Sequence, residues 1–341
     1  MSEHDPNAPN PREALLQMVN SYMISQALYV VAKLGIADLL ADGPKSADEI
    51  AAVVDCHPPS VYRVLRSVAA VGVFAEGEDG RFELTPMGDL LKSDTEGSLQ
   101  GWTVIRGEPF VWRPWGEILH SVKTGRSAFG HVFEQPAFDY LGENQDDARL
   151  FDNAMRSISH GKFEALAEAY DFSGVKTLVD VGGGNGGMMT AILKANTHLK
   201  GTIAELPHVV DHATERMEEA GLTERCECVP VDMFESVPAS DAYIMGNVIH
   251  DWDDERSITI LSNCRKAMRD DGRVLLVEMV LTPGNEFHLG KLVDIEMLVM
   301  TDGGLERTEA GYQKLFESAG LRLHAVHETP TPWSIVEARV H

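Results

Sequence analysis

Gly182, Gly184 and Gly187 stand in the stretch LVDVGGGNGG at the spacing G-x-G-x-x-G. Glycines so spaced let a backbone turn approach a nucleotide more closely than any Cβ would allow. The spacing alone does not say which nucleotide. Glu205 lies 18 residues beyond Gly187, where an acid would hold ribose hydroxyls, and that suits a nicotinamide dinucleotide. Asp180, just ahead of the glycines, is a poor neighbour for a pyrophosphate. Asp232 and Met233, in VPVDMFESVP, suit an adenine, the carboxylate taking the exocyclic amine and the thioether lying on the ring face.

These residues need elements to position them, and from residue 171 onward the chain alternates strand and helix patterns. The reading is strand 177–181, helix 187–196, strand 201–205, helix 208–219, strand 225–230, strand 241–247, helix 253–269, strand 272–280 and helix 308–319, with late strands at 321–327 and 333–339. This is a doubly wound α/β sheet, which binds ligands beyond the carboxyl ends of its strands. Asp180, Glu205 and Asp232 fall at three such ends and are expected to form a negative rim. A cationic adenosine cofactor without phosphate fits that rim better than NAD, and S-adenosylmethionine carries adenosine, an ammonium and a sulfonium. His250, in HDW, follows the fourth strand. It reads either as a cap at a strand-to-helix junction or as a base facing the ligand.

The remainder sets the context. The chain has 341 residues, enough for two domains. With 53 acidic against 29 basic residues its net charge is −24, which argues against general nucleic-acid binding. Residues 1–13 read as a loose polar tail, not a signal peptide, and no apolar run is long enough to span a membrane. Four scattered cysteines, Cys56, Cys226, Cys228 and Cys264, read as reduced and structural, so a cytoplasmic location is expected. Residues 14–100 contain a stripe of Leu15, Val19, Met23 and Ala27, a capping box from Ser46 to Glu49, a second helix after Pro58 and a hairpin around EDG. Helix-turn-helix plus hairpin is a winged helix, so a DNA-binding regulator is a rival reading. Against it, residues 1–100 hold seven Lys or Arg and fifteen Asp or Glu, which points to a dimerisation platform instead. Residues 101–170 read as an aromatic-rich helical linking region.

The segments LVDVGGGNGG, AELPHVV, DMFESVP, NVIHDWDDERSITIL and GGLERT occur in an order that resembles the small-molecule O-methyltransferases, a family that includes caffeic acid and hydroxyindole O-methyltransferases and bacterial antibiotic-tailoring enzymes. The likeness spans nearly the whole chain. It implies a Rossmann-like class I methyltransferase domain over 171–341, preceded by a mostly helical winged-helix-like dimerisation domain, and a homodimer. It further implies that Gly182, Gly184 and Gly246 pass the cofactor, that Glu205 holds the ribose and that Asp232 with Met233 holds the adenine. His250 takes the position of the general base, flanked by Glu278 and Glu306. Met155, Met297 and Met300 are placed along the acceptor pocket. Relatives often carry Lys or Arg where this chain has Gly246 and Leu305.

A phenol has a pKa of about 10 and an imidazole about 6.5, so an adjacent histidine can take the proton as the new bond forms. A carboxylate on the far ring nitrogen fixes the tautomer. The expected activity is therefore methyl transfer from S-adenosylmethionine to a hydroxyl of an aromatic or polyketide-like molecule, with no membrane or nucleic-acid partner. Rivals are N- or C-methylation, hydroxylation or decarboxylation by a homologue that keeps the cofactor, and a nicotinamide oxidoreductase. No metal site is expected, although His250, Asp251 and Asp302 could in principle converge as ligands. Asp251 is read instead as helping Asp253 or Asp254 cap the next helix.

Overall fold

The computed structural model describes residues 10–159 and 161–340. They divide into two compact units, the first reaching to Trp112 and resuming at Leu141, the second holding Arg113–Tyr140 and everything from Gly161 onward. The segment 101–170, read from sequence as one linking region, is thus shared between both units.

In the first unit a helix begins at Pro11, capped by Asn10, whose side chain accepts the Arg12 amide at 2.9 Å. Residues 1–9 of the expected tail lie outside the described residues. The long helix Pro11–Lys33 leaves Leu15, Val19 and Met23 exposed, while Ala27 packs on the core. Strands β1 (Lys45–Ser46), β2 (Phe74–Glu76) and β3 (Arg81–Leu84) form a small sheet in the order β1-β3-β2. Between β1 and β2 run helices Ala47–Val54, which opens on the Ser46–Glu49 capping box, and Pro58–Ala69. Ile50, Leu65, Phe74 and Phe82 close a core between helices and hairpin, a winged-helix arrangement.

The second unit is built on seven strands: β4 (Thr177–Val181), β5 (Lys200–Glu205), β6 (Cys226–Pro230), β7 (Ser240–Gly246), β8 (Met268–Glu278), β9 (Leu321–Glu328) and β10 (Ser334–Val340), in the order β6-β5-β4-β7-β8-β10-β9. The first five are parallel, and β10 enters antiparallel between β8 and β9. Side-chain alternation sends Leu178, Ile244, Val277 and Ile335 into one core beside helix Gly187–Ala195. Val179, Met245, Leu276 and Val336 enter the other, beside helices Asp254–Ala267 and Glu309–Ser318. Because β5 and β7 lie on either side of β4, the crossovers leave in opposite directions there and open a crevice at the carboxyl ends. No described helix is long and apolar enough to cross a membrane.

Candidate active site

The glycine loop follows β4 directly. Gly182, Gly184 and Gly186 have φ of 69°, 54° and 77°, left-handed values that glycine adopts without strain. A Cβ on Gly182 would stand 2.9 Å from a Val248 methyl, whereas a Cβ on Gly184 would meet nothing within 4 Å. The loop is therefore packed on its inner side and open at Gly184. Glu205, the last residue of β5, accepts the Gly184 amide at 3.0 Å and the Leu206 amide at 2.7 Å. It anchors the loop as well as lying at its rim.

Asp180 does not join that rim. It is wholly buried beneath the loop, its two carboxylate oxygens have no hydrogen-bond partner, and a Cβ on Gly183 would lie 2.8 Å from its carboxyl carbon. Burial, and then the charge of Glu205, push its pKa up to about 8. The acidic rim is reduced to Glu205 and the exposed Asp232, which accepts the Phe234 amide at 2.9 Å. Met233 beside it packs against the core, its carbonyl held by Asn263 at 3.0 Å. Gly246 closes β7, and a Cβ there would lie 3.2 Å from the end of Met188, so the bare position gives that flexible side chain its room.

Across β7 and β8 lies a second cluster. His250 sits in a single 3₁₀ turn, Ile249–Asp251, and is 8% exposed. Its Nδ1 is 2.7 Å from Glu306 Oε1 and 3.6 Å from Glu278 Oε2, while its Nε2 has only Asp251 Oδ1 at 3.7 Å, beyond hydrogen-bonding reach. Glu278 ends β8 and takes the Ile249 amide on its other oxygen at 3.0 Å. Glu306 comes from the segment after helix Gly290–Met300, and its amide is fixed by Asp294 at 2.9 Å. Arg307, almost fully buried, donates to the carbonyls of Ile249 at 3.0 Å and Trp252 at 2.9 Å, one on each side of the histidine. The Leu305 amide reaches the His250 carbonyl at 2.8 Å.

The electrostatics follow from this packing. Burial alone would lower the His250 pKa, but Glu278, Asp251 and Glu306 outweigh it and hold the imidazole up at about 10. Burial raises Glu278 to about 7 and Asp251 to about 6, with the imidazolium pulling both back. His250, Glu278 and Glu306 are close enough for their ligand atoms to reach one ion. The 2.7 Å between Nδ1 and Glu306, however, is shorter than the ~3 Å between neighbouring donors bound to one ion at about 2.1 Å each, and marks an N–H···O bond.

Other expectations land elsewhere. Asp302 accepts the Ser127 amide at 3.0 Å and is not part of the group formed by His250, Glu278 and Glu306. Asp253, not Asp251, caps helix Asp254–Ala267 by accepting the Arg256 amide at 2.8 Å. Met297 is buried and Met300 half-buried on helix Gly290–Met300, while Met155 belongs to helix Gln145–Ile158 of the first unit. Arg307, Asp294 and Lys162 escaped the sequence reading. Arg307 could have been found beside Glu306 in LERT, but nothing around Lys162 signals its burial.

Comparison with known proteins decides what this pair of clusters belongs to. Residues 115–322 match the O-methyltransferase domain model and residues 16–94 the O-methyltransferase dimerisation domain. The chain belongs to the O-methyltransferase family. It is 44% identical over 326 residues to the phenazine O-methyltransferase PhzM of Lysobacter antibioticus, covering 95% of each chain. The crystal structure of LaPhzM superposes with a TM-score of 0.93 at 43% identity, over 97% of this chain and all of that one. The O-methyltransferase NcsB1 of neocarzinostatin biosynthesis, solved with S-adenosylmethionine and 2-hydroxy-5-methyl naphthoic acid, matches at a TM-score of 0.82 and 32% identity, over 93% and 96% of the chains. This O-methyltransferase uses S-adenosylmethionine, and its N-terminal unit is the family's dimerisation module. Its own residues fit the cofactor: a loop open at Gly184 and carboxylates at Glu205 and Asp232.

Proposed function

We propose that this O-methyltransferase methylates a hydroxyl of a flat aromatic or polyketide-like acceptor, with His250 as general base and Glu306 and Glu278 as its supports. The observation that carries this reading is the Nδ1 contact to Glu306 at 2.7 Å, with Nε2 making no hydrogen bond. A neutral imidazole so held donates from Nδ1 and presents the Nε2 lone pair. When bound, S-adenosylmethionine supplies the electrophilic methyl group. The chain then has to orient the acceptor and remove its proton. Nε2 takes the hydroxyl proton, and the two glutamates stabilise the imidazolium that results.

The high proton affinity of His250 makes it a strong acceptor once neutral, and catalysis is expected to rise with pH above neutrality. Gly182, Gly184 and Gly246 are assigned to the methionyl part of the cofactor, Glu205 to the ribose, and Asp232 with Met233 to the adenine. Met297 and Met300 are assigned to a soft pocket lining suited to an aromatic ring, and Met155 to acceptor contact within its own unit. The expected setting is the cytoplasm, where four unpaired cysteines stay reduced.

The test is incubation with S-adenosylmethionine and a panel of hydroxylated and aminated aromatics, followed by mass spectrometry. A product heavier by one CH₂ on a hydroxyl, with S-adenosylhomocysteine, is expected. Gain of one oxygen, loss of carbon dioxide or exclusive N-methylation would overturn the reading.

A further inference from the structure

Lys162 opens helix Lys162–Ala169 and is 4% exposed, yet among the described residues it makes no ion pair within 4.0 Å. Its ammonium donates to Asn247 Oδ1 at 3.1 Å and lies 4.1 Å from the Trp333 ring centroid. Asn247 follows β7 and Trp333 precedes β10, the strands that flank β8. Gly246 pairs with Val277, Ser334 pairs with Glu278, and the Asn247 amide donates to the Val277 carbonyl at 3.1 Å. The ammonium is thus strung across the carboxyl end of β8, the place where Glu278 emerges. Glu278 and Glu306 each keep one buried oxygen without a hydrogen-bond partner.

We propose that Lys162 is a positioning residue for the reaction, the buried counter-charge that limits how tightly the His250, Glu278 and Glu306 cluster holds its proton. The inference rests on the general-base reading above. Three carboxylates, Glu278, Glu306 and Asp251, surround one imidazole, and alone they would favour a permanent imidazolium. The other groups packed on the cluster are Arg307, which is occupied by carbonyls and by Asp254, Asp294, which holds the Glu306 amide, and the buried hydroxyl of Tyr312. Among the described residues Lys162 is left as the cation with donors to spare. Burial lowers its pKa to about 8, while Glu278 and Glu306 pull it upward, so it is charged at neutral pH. The reactive form needs Glu278 ionised and His250 neutral. A neighbouring positive charge stabilises that form over every more protonated one, whichever site the proton occupies.

The test is the pH dependence of kcat/KM, together with an NMR titration of the His250 ring, for wild type, Lys162→Met, Lys162→Gln and Lys162→Arg. Below about pH 8, where Lys162 is charged, both neutral variants are expected to shift the rising limb of kcat/KM and the foot of the ring titration to higher pH, lowering kcat/KM there about tenfold, and to rejoin wild type above about pH 10. Lys162→Gln keeps a hydrogen-bonding group for Asn247, so it serves should Lys162→Met fold poorly. Lys162→Arg, charged throughout, is expected to titrate at or below the wild-type pH. A uniform loss of rate with unmoved titrations, or a move to lower pH, would overturn the proposal. The ring titration reports on Lys162 even if His250→Gln leaves turnover intact, so failure of the base reading is distinguishable from failure of this one.

Discussion

Replacing Arg307 with Met keeps most of the buried stem and removes the guanidinium fork. The bonds to the Ile249 and Trp252 carbonyls, at 3.0 and 2.9 Å, are lost together. Each is a hydrogen bond to a charged group in a buried setting, a class that contributes roughly 1.5–3 kcal/mol. Ser257 Oγ stands 3.4 and 3.3 Å from the same carbonyls and offsets part of the loss. The ion pair to Asp254 adds little, because that carboxylate is 69% exposed and surface pairs contribute about 0–1 kcal/mol. The sum is on the order of 4 kcal/mol, a large part of the 5–15 kcal/mol that typically holds a protein folded. The same bonds clamp the turn on both sides of His250, and misplacement of a catalytic group by about 1 Å can cost about 10²-fold in rate. Urea unfolding at fixed protein concentration and kcat for the folded fraction are the assays. Destabilisation under about 1 kcal/mol, with wild-type kcat, would show that the turn is held by something other than this clamp.

The remaining predictions are briefer. His250→Gln is expected to lower kcat by about 10²–10⁴-fold while S-adenosylhomocysteine affinity, measured by calorimetry, stays within about twofold; equal losses in both would make the residue structural. Gly184→Ala places a methyl in open space at a φ of 54°, so it is expected to cost about 1–2 kcal/mol of stability yet weaken cofactor binding at least about tenfold. Intact affinity would mean that the ligand does not approach there. Asp180 has its folded pKa raised from 3.8 to about 8, so the folded state holds a proton that the unfolded state has released. Wild-type stability should then decline as pH rises from about 4 to about 8. Asp180→Asn should flatten that decline, and an unchanged slope would refute it.

Much of the α/β unit was legible because parallel strands are short apolar runs bounded by turn residues, and the ligand side of such a sheet is fixed by topology. The strand-end positions of Glu205, Asp232 and His250 followed from those runs, and the Ser46 capping box from its spacing. Asp180 was misplaced because it was counted as a strand-end residue although it lies inside β4. Both faces of that strand are core, Leu178 on one and Val179 with Val181 on the other, so a side chain within it is buried whichever way it points. The late strands were found, but their order was not, since antiparallel insertion of β10 depends on pairing rather than on local pattern. Lys162 was invisible for a similar reason. A lysine at a helix start ordinarily points to solvent, and only the meeting of Asn247, Trp333 and Glu278 at neighbouring strand ends buries this one.

The place of β10 also bears on how the molecule is made. Among the described strands, β9 is hydrogen-bonded only to β10, and β10 is the strand against the far side of β8. While residues 334–340 are still unsynthesised, or after proteolysis ahead of Ser334, β8 presents a bare edge and β9 has nothing to join. Nascent and clipped chains would therefore expose the same unpaired edge beside Glu278, a template for aggregation. Pairing of β10 is then what closes the edge of β8 from which Glu278 emerges.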